Sequence, residues 1–333
     1  MDAFIKAISY ALPNKVITNE DIVSMFPEWT IEKINTKIGI LERHVISNGE
    51  TAMDIGLKAA EKLFDEYNIK RTEVDFLIYC TQSPDYFLPT SACIIQDRLG
   101  LMKNIGALDV NLGCSGWIYC IYLAKSLVAS MVAKNVLVIT SETYSQYIHP
   151  MDKGNRTIFG DGAAATLVSC NGFCKLGEFV LGTDGSGANN LIVKTGSARH
   201  REKLNDLEFD DFGNPRSSDF LYMNGPDILN YTLEVIPKLV NDVLLKNGLN
   251  MEDIDMHIYH QANSYIAKLQ RRKLKIPVEK YYEYYSNVGN TVSSTIPIAM
   301  KEAINGRAIK LGDNILSVAQ GLGYSWGGVV LRF

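Results

Sequence analysis

The sequence has no two cysteines in the C-x-x-C spacing of zinc sites and redox motifs, although it contains six cysteines in 333 residues. Its five histidines are scattered and do not combine with cysteines in the spacing of a metal site. Several cysteines lie inside apolar runs, which is typical of reduced cysteines. We therefore expect no metal, no disulfide framework and a cytoplasmic location.

The sequence also lacks an excess of positive charge and a long hydrophobic run. It has 33 Lys and Arg and 37 Asp and Glu, and the resulting net charge of −4 argues against nucleic-acid binding. The longest apolar stretch, residues 117–139, is interrupted by lysine, serine and asparagine before it reaches the ~18 residues of a membrane span. No basic and apolar leader is apparent at the start. We expect neither membrane nor nucleic acid among the partners.

Two segments recur at a separation close to 180 residues. EVDFLIYC, around Asp75, resembles DIDMHIYH, around Asp255, and NVLVITSET, from Asn135, resembles NILSVAQGL, from Asn314. An amphipathic helical pattern precedes each member of the first pair, over about residues 52–67 and 228–246. The repetition indicates two similar halves.

Strand and helix patterns alternate within each half, with a further strand-turn-helix in ALDVNLGCSG and in YYEYYSNVGN. Alternation of this kind predicts an α/β fold with mainly parallel sheets covered by helices. We expect the halves to span residues 1–170 and 171–333 and to pack on each other. The charged, turn-rich residues 197–220 are predicted to form a long loop in the second half.

Cys114 lies between two glycines where a strand pattern ends and a helical pattern begins. The unpaired N–H groups of a helix N-terminus favour an anion, so this position predicts a thiol pKa below its usual ~8.5. Such a thiol is suited to nucleophilic attack on an acyl group. The alternative is that Cys114 is a small buried hydrophobic residue, as we expect for Cys93, Cys120 and Cys170.

Two further polar residues follow predicted strands or turns: His260 at the end of HIYH and Asn290 in SNVGNTVSS. Ligands of open α/β sheets bind beyond the carboxyl ends of strands, which would bring both near Cys114. Purely structural roles are the alternatives, a hydrogen-bonded core histidine and a helix N-cap. The glycine-rich residues 320–333 predict a hairpin, or a backbone N–H placed near the sulfur.

These motifs resemble those of the β-ketoacyl-[acyl-carrier-protein] synthase III family of the thiolase superfamily. The resemblance spans nearly the whole chain and rests on six motifs in order: EWTIEKINTKIGILERH, DVNLGCSGWIY, IFGDGAAA, HQAN, GNT and GLGYSWGGVVLRF. It implies a thiolase-like fold whose two α/β halves pack in an α-β-α-β-α arrangement. It also implies a homodimeric acyltransferase without a cofactor, which uses acyl-CoA and malonyl-acyl carrier protein as substrates.

The resemblance implies a decarboxylative Claisen condensation. Cys114 would carry the acyl group of a primer, while His260 and Asn290 would bind the thioester carbonyl of malonyl-acyl carrier protein as carbon dioxide leaves. The carbanion would attack the acyl-Cys and give a 3-oxoacyl thioester. The N–H groups of Cys114 and Gly323 would form the oxyanion hole. A neutral imidazole and a carboxamide suit this step because both donate hydrogen bonds.

The resemblance also assigns residues to the coenzyme A or pantetheine arm. Trp29 matches a tryptophan that stacks on adenine, and Asn263 matches a pantetheine contact. Lys37 and Lys153 stand where arginine is common in the family. Lysine keeps the positive charge but cannot make the two parallel hydrogen bonds by which arginine binds a phosphate group.

The acyl pocket and the carrier-protein contact carry over less completely. Leu88 matches a pocket residue near the acyl chain of the partner subunit, where some acetyl-specific relatives have phenylalanine. Arg272 and Lys273 are candidates for docking an acidic carrier protein, or a solvated helix face. Tyr265 stands where a basic residue is common.

These departures leave an alternative open, a specialised acyltransferase or synthase of the same fold in secondary-metabolite or surface-glycan biosynthesis. A catalytically inactive partner subunit is disfavoured because such a subunit should lack the nucleophile, and Cys114 is present.

Overall fold

The computed structural model describes residues 1–211 and 213–333. Its helices are α1 (Asn19–Met25), α2 (Ile31–Lys37), α3 (Ala52–Tyr67), α4 (Ser91–Arg98), α5 (Gly116–Ala129), α6 (Lys153–Arg156), α7 (Gly225–Asn247), α8 (Ser264–Lys273) and α9 (Thr295–Asn305). Its strands are β1 (Phe4–Ala11), β2 (Lys15–Thr18), β3 (Glu42–Val45), β4 (Phe76–Cys80), β5 (Gly106–Val110), β6 (Asn135–Glu142), β7 (Gly162–Ser169), β8 (Cys174–Thr183), β9 (Leu191–Ile192), β10 (Glu208–Phe209), β11 (Pro215–Arg216), β12 (Tyr222–Met223), β13 (Met256–Tyr259), β14 (Asn314–Gly321) and β15 (Ser325–Arg332). Within these described ranges, no helix has the length and apolar character needed to cross a bilayer.

The main sheet repeats one arrangement of strands twice. Its order is β13-β14-β15-β8-β1-β7-β6-β4-β5, so β8, β15, β14 and β13 correspond to β1, β7, β6 and β4. In each half one strand, β6 or β14, pairs in parallel with one neighbour and antiparallel with the other. A short pairing of β1 with β8 joins the halves. The two similar halves predicted from the repeats are therefore present.

The repeated residues make the same hydrogen bonds in both halves. Asp75 Oδ2 accepts from the N–H of Asn135 at 2.9 Å, and Asp255 Oδ2 accepts from the N–H of Asn314 at 2.9 Å. The side chains of Asn135 and Asn314 also donate to equivalent backbone carbonyls. Each Asp-Asn pair fastens the start of one strand to its parallel neighbour, which explains why both residues recur.

Helices and sheets form five layers. Helix α3 packs on the sheet of the first half, and α7 packs on the sheet of the second half. Helices α5 and α9 lie between the two halves of the main sheet and share one apolar core with strands of both halves. This is the predicted α-β-α-β-α arrangement.

The prediction of mainly parallel sheets is wrong. Among the strands of the described residues, only the β5-β4-β6 group and the β13-β14 pair are parallel. The pairs β6-β7 and β14-β15 are antiparallel because the chain returns to the neighbouring strand without a long crossover helix.

The strand predicted in YYEYYSNVGN is reduced to a single parallel bridge between His257 and Tyr281. Three residues later the Tyr284 N–H donates to the side chain of Gln261 and not to a neighbouring strand. The second half therefore has four strands in this sheet where the first half has five.

The division at residue 170 stays a prediction. The predicted loop 197–220 contains the short β10-β11 hairpin, and Phe212 of this segment lies outside the described residues.

We expect Trp117→Ala to lower the free energy of unfolding by about 3–5 kcal/mol, the range for removing a buried aromatic side chain. Trp117 lies in the central layer, is 1% exposed, and donates from Nε1 to Thr166 at 3.1 Å. Urea unfolding would measure the change. Leu123→Ala, on an exposed face of the same helix, is the control and should cost much less. Equal losses in both variants would contradict the central role of Trp117.

Candidate active site

One cavity of about 440 Å³ brings Cys114, His260 and Asn290 together. The three residues follow different elements: β5 precedes Cys114, β13 precedes His260, and Asn290 forms a bridge with Phe159 just before β7. The cavity therefore lies at the carboxyl ends of the parallel strands, where ligand sites of α/β sheets are found. Both halves contribute to it.

Cys114 is held in a tight turn directly before α5. The Gly116 N–H donates to the carbonyl of Gly113 at 2.7 Å, and this bond closes the turn. Ser115 contacts Ser325 of the C-terminal hairpin through their hydroxyl groups at 2.7 Å. The sulfur is thus presented by one half and fixed in place by the other.

The predicted fall in the pKa of Cys114 is wrong for this structure. Burial, together with the nearby carboxyl of Glu142, raises the pKa of the thiol to about 12. The side chain is only 9% exposed, and α5 begins two residues later at Gly116. Because the thiol is neutral near pH 7, its proton must be transferred to a base when Cys114 attacks.

His260 is the basic group in the same cavity. Its ring is 4% exposed, and burial lowers its pKa to about 4, so the imidazole is neutral near pH 7. Nδ1 lies 2.7 Å from the hydroxyl oxygen of Thr295, the first residue of α9. Nε2 is therefore the ring nitrogen left for the substrate. Sequence reasoning missed Thr295, since nothing in the pattern links it to a histidine 35 residues away.

Asn290 presents a hydrogen-bond donor. Its Oδ1 accepts from the Val292 N–H at 2.9 Å, which leaves Nδ2 as the free end of the carboxamide. Backbone bonds with Ile158 and Gly160 hold Asn290 beside the turn before β7. The side chain is 4% exposed and lines the cavity.

Gly323 is placed differently from its neighbours in the hairpin. Gly321, Leu322 and Tyr324 line the cavity, whereas Gly323 is not among its lining residues. Gly321 packs so closely on the nucleophile that a Cβ there would lie 2.8 Å from the Cβ of Cys114. The oxyanion role of the Gly323 N–H stays a prediction.

Of the four residues predicted to bind coenzyme A, Asn263 lines the cavity, whereas Trp29, Lys37 and Lys153 are not among its lining residues. Lys37 ends α2, and the following residue accepts a backbone hydrogen bond from Ser264, next to Asn263. Lys153 forms a 3.0 Å ion pair with Glu28, the neighbour of Trp29. Trp29 is half-buried against α1 and α2.

The remaining predicted residues are exposed. Leu88 is 86% exposed and does not reach the cavity of its own chain. Arg272 and Lys273 lie in the exposed last turn of α8. Tyr265 is half-exposed at the mouth of the cavity.

An apolar cluster that sequence reasoning missed surrounds Cys114. Its core members are Tyr144, Ile148, Phe159, Leu191, Leu221 and Val292. The ring centroids of Tyr144 and Phe159 are 5.3 Å apart, and the Tyr144 hydroxyl donates to Gln82 at 2.6 Å. No local pattern identifies these residues, because they come from several separate segments of the chain.

Comparisons with known proteins agree with this geometry. Residues 108–185 match the profile of 3-oxoacyl-[acyl-carrier-protein (ACP)] synthase III, and residues 244–333 match its C-terminal profile. A β-ketoacyl-[acyl-carrier-protein] synthase III of Clostridium perfringens is 37% identical over 330 residues, which cover 98% of each chain.

Two solved structures are similar over nearly their whole length. A crystal structure of a 3-oxoacyl-(acyl-carrier-protein) synthase III has a TM-score of 0.97 and 43% identity, with full coverage of both chains. A 3-oxoacyl-(acyl-carrier protein) synthase of Burkholderia xenovorans LB400 has a TM-score of 0.91 and 31% identity, covering 99% of this chain and 94% of its own. The chain therefore belongs to the 3-oxoacyl-[acyl-carrier-protein] synthase III family, thiolase-fold condensing enzymes of the acyltransferase type.

Proposed function

We propose that this protein condenses an acyl primer with malonyl-acyl carrier protein in fatty acid biosynthesis. The observation that carries the proposal is the arrangement in one cavity of a thiol, an imidazole with Nε2 available and a carboxamide with Nδ2 available. Acyl transfer requires the thiol as nucleophile, and formation of a carbanion requires hydrogen-bond donors such as the imidazole and the carboxamide.

In the first step Cys114 takes the acyl group from its thioester. The thiol proton passes to Nε2 of His260 as the sulfur attacks the acyl carbon, and the bond to the leaving thiol breaks. The proton then passes to that leaving sulfur, so His260 returns to its neutral form. The N–H of Cys114 and one N–H of the 321–323 turn bind the oxyanion.

In the second step His260 and Asn290 bind the thioester carbonyl of the malonyl substrate. The bond to the carboxylate breaks, carbon dioxide leaves, and the electron pair remains as an enolate stabilised by Nε2–H and Nδ2–H. This carbanion attacks the acyl carbon, the bond to Cys114 breaks, and the departing sulfur takes a proton from solvent to become a thiol again. Before the second step the imidazole releases its Nδ1 proton and takes one at Nε2 by exchange with solvent. The hydroxyl of Thr295 accepts from Nδ1 in the first tautomer and donates to it in the second, so it stays bonded to His260 in both.

The cavity mouth suits a phosphopantetheine arm. Asn263 would contact the arm, Trp29 would stack on adenine, and Lys37 and Lys153 would face phosphate groups. Arg272 and Lys273, at the exposed end of α8, would dock the acidic carrier protein. We also infer that the acyl chain lies against the apolar cluster around Cys114.

A homodimer is part of the proposal. Tyr86, Phe87 and Leu88 are consecutive and 60–86% exposed, which is unusual for three large apolar side chains of a monomer. Strand β5, which leads to Cys114, is an edge strand of the main sheet. A second copy covering this face would place its Leu88 beside the partner's acyl site. The cytoplasmic location and the absence of a cofactor stay predictions.

Release of carbon dioxide tests the reaction. Purified protein is mixed with an acyl-CoA primer and malonyl-acyl carrier protein labelled in its free carboxyl carbon, and product is identified by mass. We expect release coupled to formation of a 3-oxoacyl-carrier product that is two carbons longer than the primer. Acylation of the protein without carbon dioxide release would instead support the alternative acyltransferase.

A further inference from the structure

Glu142 is a buried acidic residue that the reaction described above does not use. It ends β6, a strand buried at all but its first position, and its own exposure is 0%. The ion pairs formed by the described residues do not include it. Burial raises the pKa of Glu142 to about 8. A carboxyl group buried without a cation is costly when ionised, so its presence needs an explanation.

One side of the Glu142 carboxyl supports the turn that carries Cys114. Both of its oxygens lie 3.1 Å from the N–H of Gln82. The side chain of Gln82 donates to Asn111 at 3.0 Å, in the segment just before Cys114. The oxygen of the same side chain is packed against Gly113 so closely that a Cβ there would lie 2.6 Å away. Glu142 therefore holds Gln82 in place, and Gln82 in turn packs against the turn that carries Cys114.

The other side of the carboxyl supports the turn that carries Asn290. The hydroxyl of Ser293 donates to Oε1 of Glu142 at 3.3 Å. Ser293 belongs to the single helical turn Val292–Ser294, whose first N–H binds Oδ1 of Asn290. Ser83 provides a further hydroxyl at 3.3 Å. One carboxyl group thus joins the segments of both halves that hold the nucleophile and the carboxamide.

The groups of the described residues that interact electrostatically with Glu142 are neutral or acidic. They are Tyr79 and Cys80 on β4, Cys114 on the turn before α5, Tyr144 and Tyr147 after β6, and Asp161 before β7. A negative charge on Glu142 therefore acts on Cys114 without compensation by a described ion-pair partner. It opposes formation of a second negative charge on the sulfur.

We propose that Glu142 is a positioning residue that acts as a neutral carboxylic acid, and that its ionisation suppresses thiolate formation at Cys114. As an acid it donates its proton to the hydroxyl oxygen of Ser83 or Ser293, which can reverse the direction of these bonds. The two turns then stay in place with no charge beside the sulfur. This inference rests on the proposed role of Cys114 as nucleophile.

The test is the pH dependence of Cys114 alkylation by iodoacetamide, followed by peptide mass because the chain has six cysteines. Glu142→Gln keeps the size of the side chain and cannot ionise. We expect the rates of wild type and Glu142→Gln to coincide below about pH 7, where Glu142 is neutral. Above about pH 8 the variant should react about tenfold faster, which corresponds to a thiol pKa lower by about one unit.

Ser293→Ala is the matched control, because it removes one bond to Glu142 and keeps the ionisable group. Its rates should flatten above about pH 8 as in the wild type. Parallel profiles of wild type and Glu142→Gln at every pH would overturn the proposal.

Two further measurements cover the case that Glu142→Gln does not fold and separate this proposal from the role of Cys114 as nucleophile. If Glu142→Gln does not fold, the wild-type profile alone decides, since a rate that rises with one slope through pH 8 excludes an ionising neighbour. Intact mass after exposure of the wild type to acyl-CoA separates the two proposals. An unacylated Cys114 would count against the nucleophile itself, whereas an acylated Cys114 with parallel profiles would count against Glu142 only.

Discussion

Cys114→Ala is expected to abolish acyl transfer to the protein and to lower the rate of condensation by about 10³-fold or more. The reason is that the acyl group has no other attachment point in the cavity, whose remaining polar side chains lack a comparable nucleophile. Intact-mass measurement after incubation with acyl-CoA should show one added acyl group on the wild type and none on the variant. The overall reaction is followed by formation of the 3-oxoacyl product.

Cys93→Ala is a suitable control. The expectation that Cys93 is buried is wrong: it is exposed and therefore the most accessible competing thiol. This control should accept the acyl group as the wild type does. An acyl group found on Cys114→Ala in equal yield, or lost in Cys93→Ala, would exclude Cys114 as the carrier. The folded state of each variant is checked by thermal unfolding.

Asn290→Asp is expected to lower the rate of condensation by about 10²- to 10³-fold while acylation of Cys114 changes by no more than a few fold. The substitution keeps the Oδ1 that accepts from the Val292 N–H, so the turn is preserved. It replaces the free Nδ2 donor by an oxygen that repels the enolate. Single-turnover acylation, measured separately from release of carbon dioxide, gives the two effects.

His260→Ala provides the contrast. His260 takes part in both proposed steps, so its loss should slow acylation as well as condensation. A parallel loss of both steps in Asn290→Asp would show that Asn290 acts on the fold of the cavity and not on the carbanion. Asn263→Ala, at the cavity mouth, is a further comparison and should raise the KM for the thioester more than it lowers kcat.

The repeats in the sequence were enough to predict most of the fold. Asp75 and Asp255 recur because each joins two parallel strands. The repeated residues in the sequence therefore indicated a hydrogen bond that forms in both halves. Strand ends and helix starts likewise indicated that Cys114 and His260 would approach one another. The direction of strand pairing was not contained in that pattern, since it depends on whether the chain crosses over or turns back between strands.

The sequence by itself determined the two α/β halves, the alternation of elements and the three polar residues that one cavity brings together. The tertiary structure decided what surrounds them. The pKa of Cys114 depends on how deeply packing from both halves buries the sulfur and on the Glu142 carboxyl beside it. The orientation of His260 depends on Thr295, which α9 brings to it from 35 residues away. Burial and long-range contacts depend on residues that are distant in the chain, so no local sequence pattern predicts them.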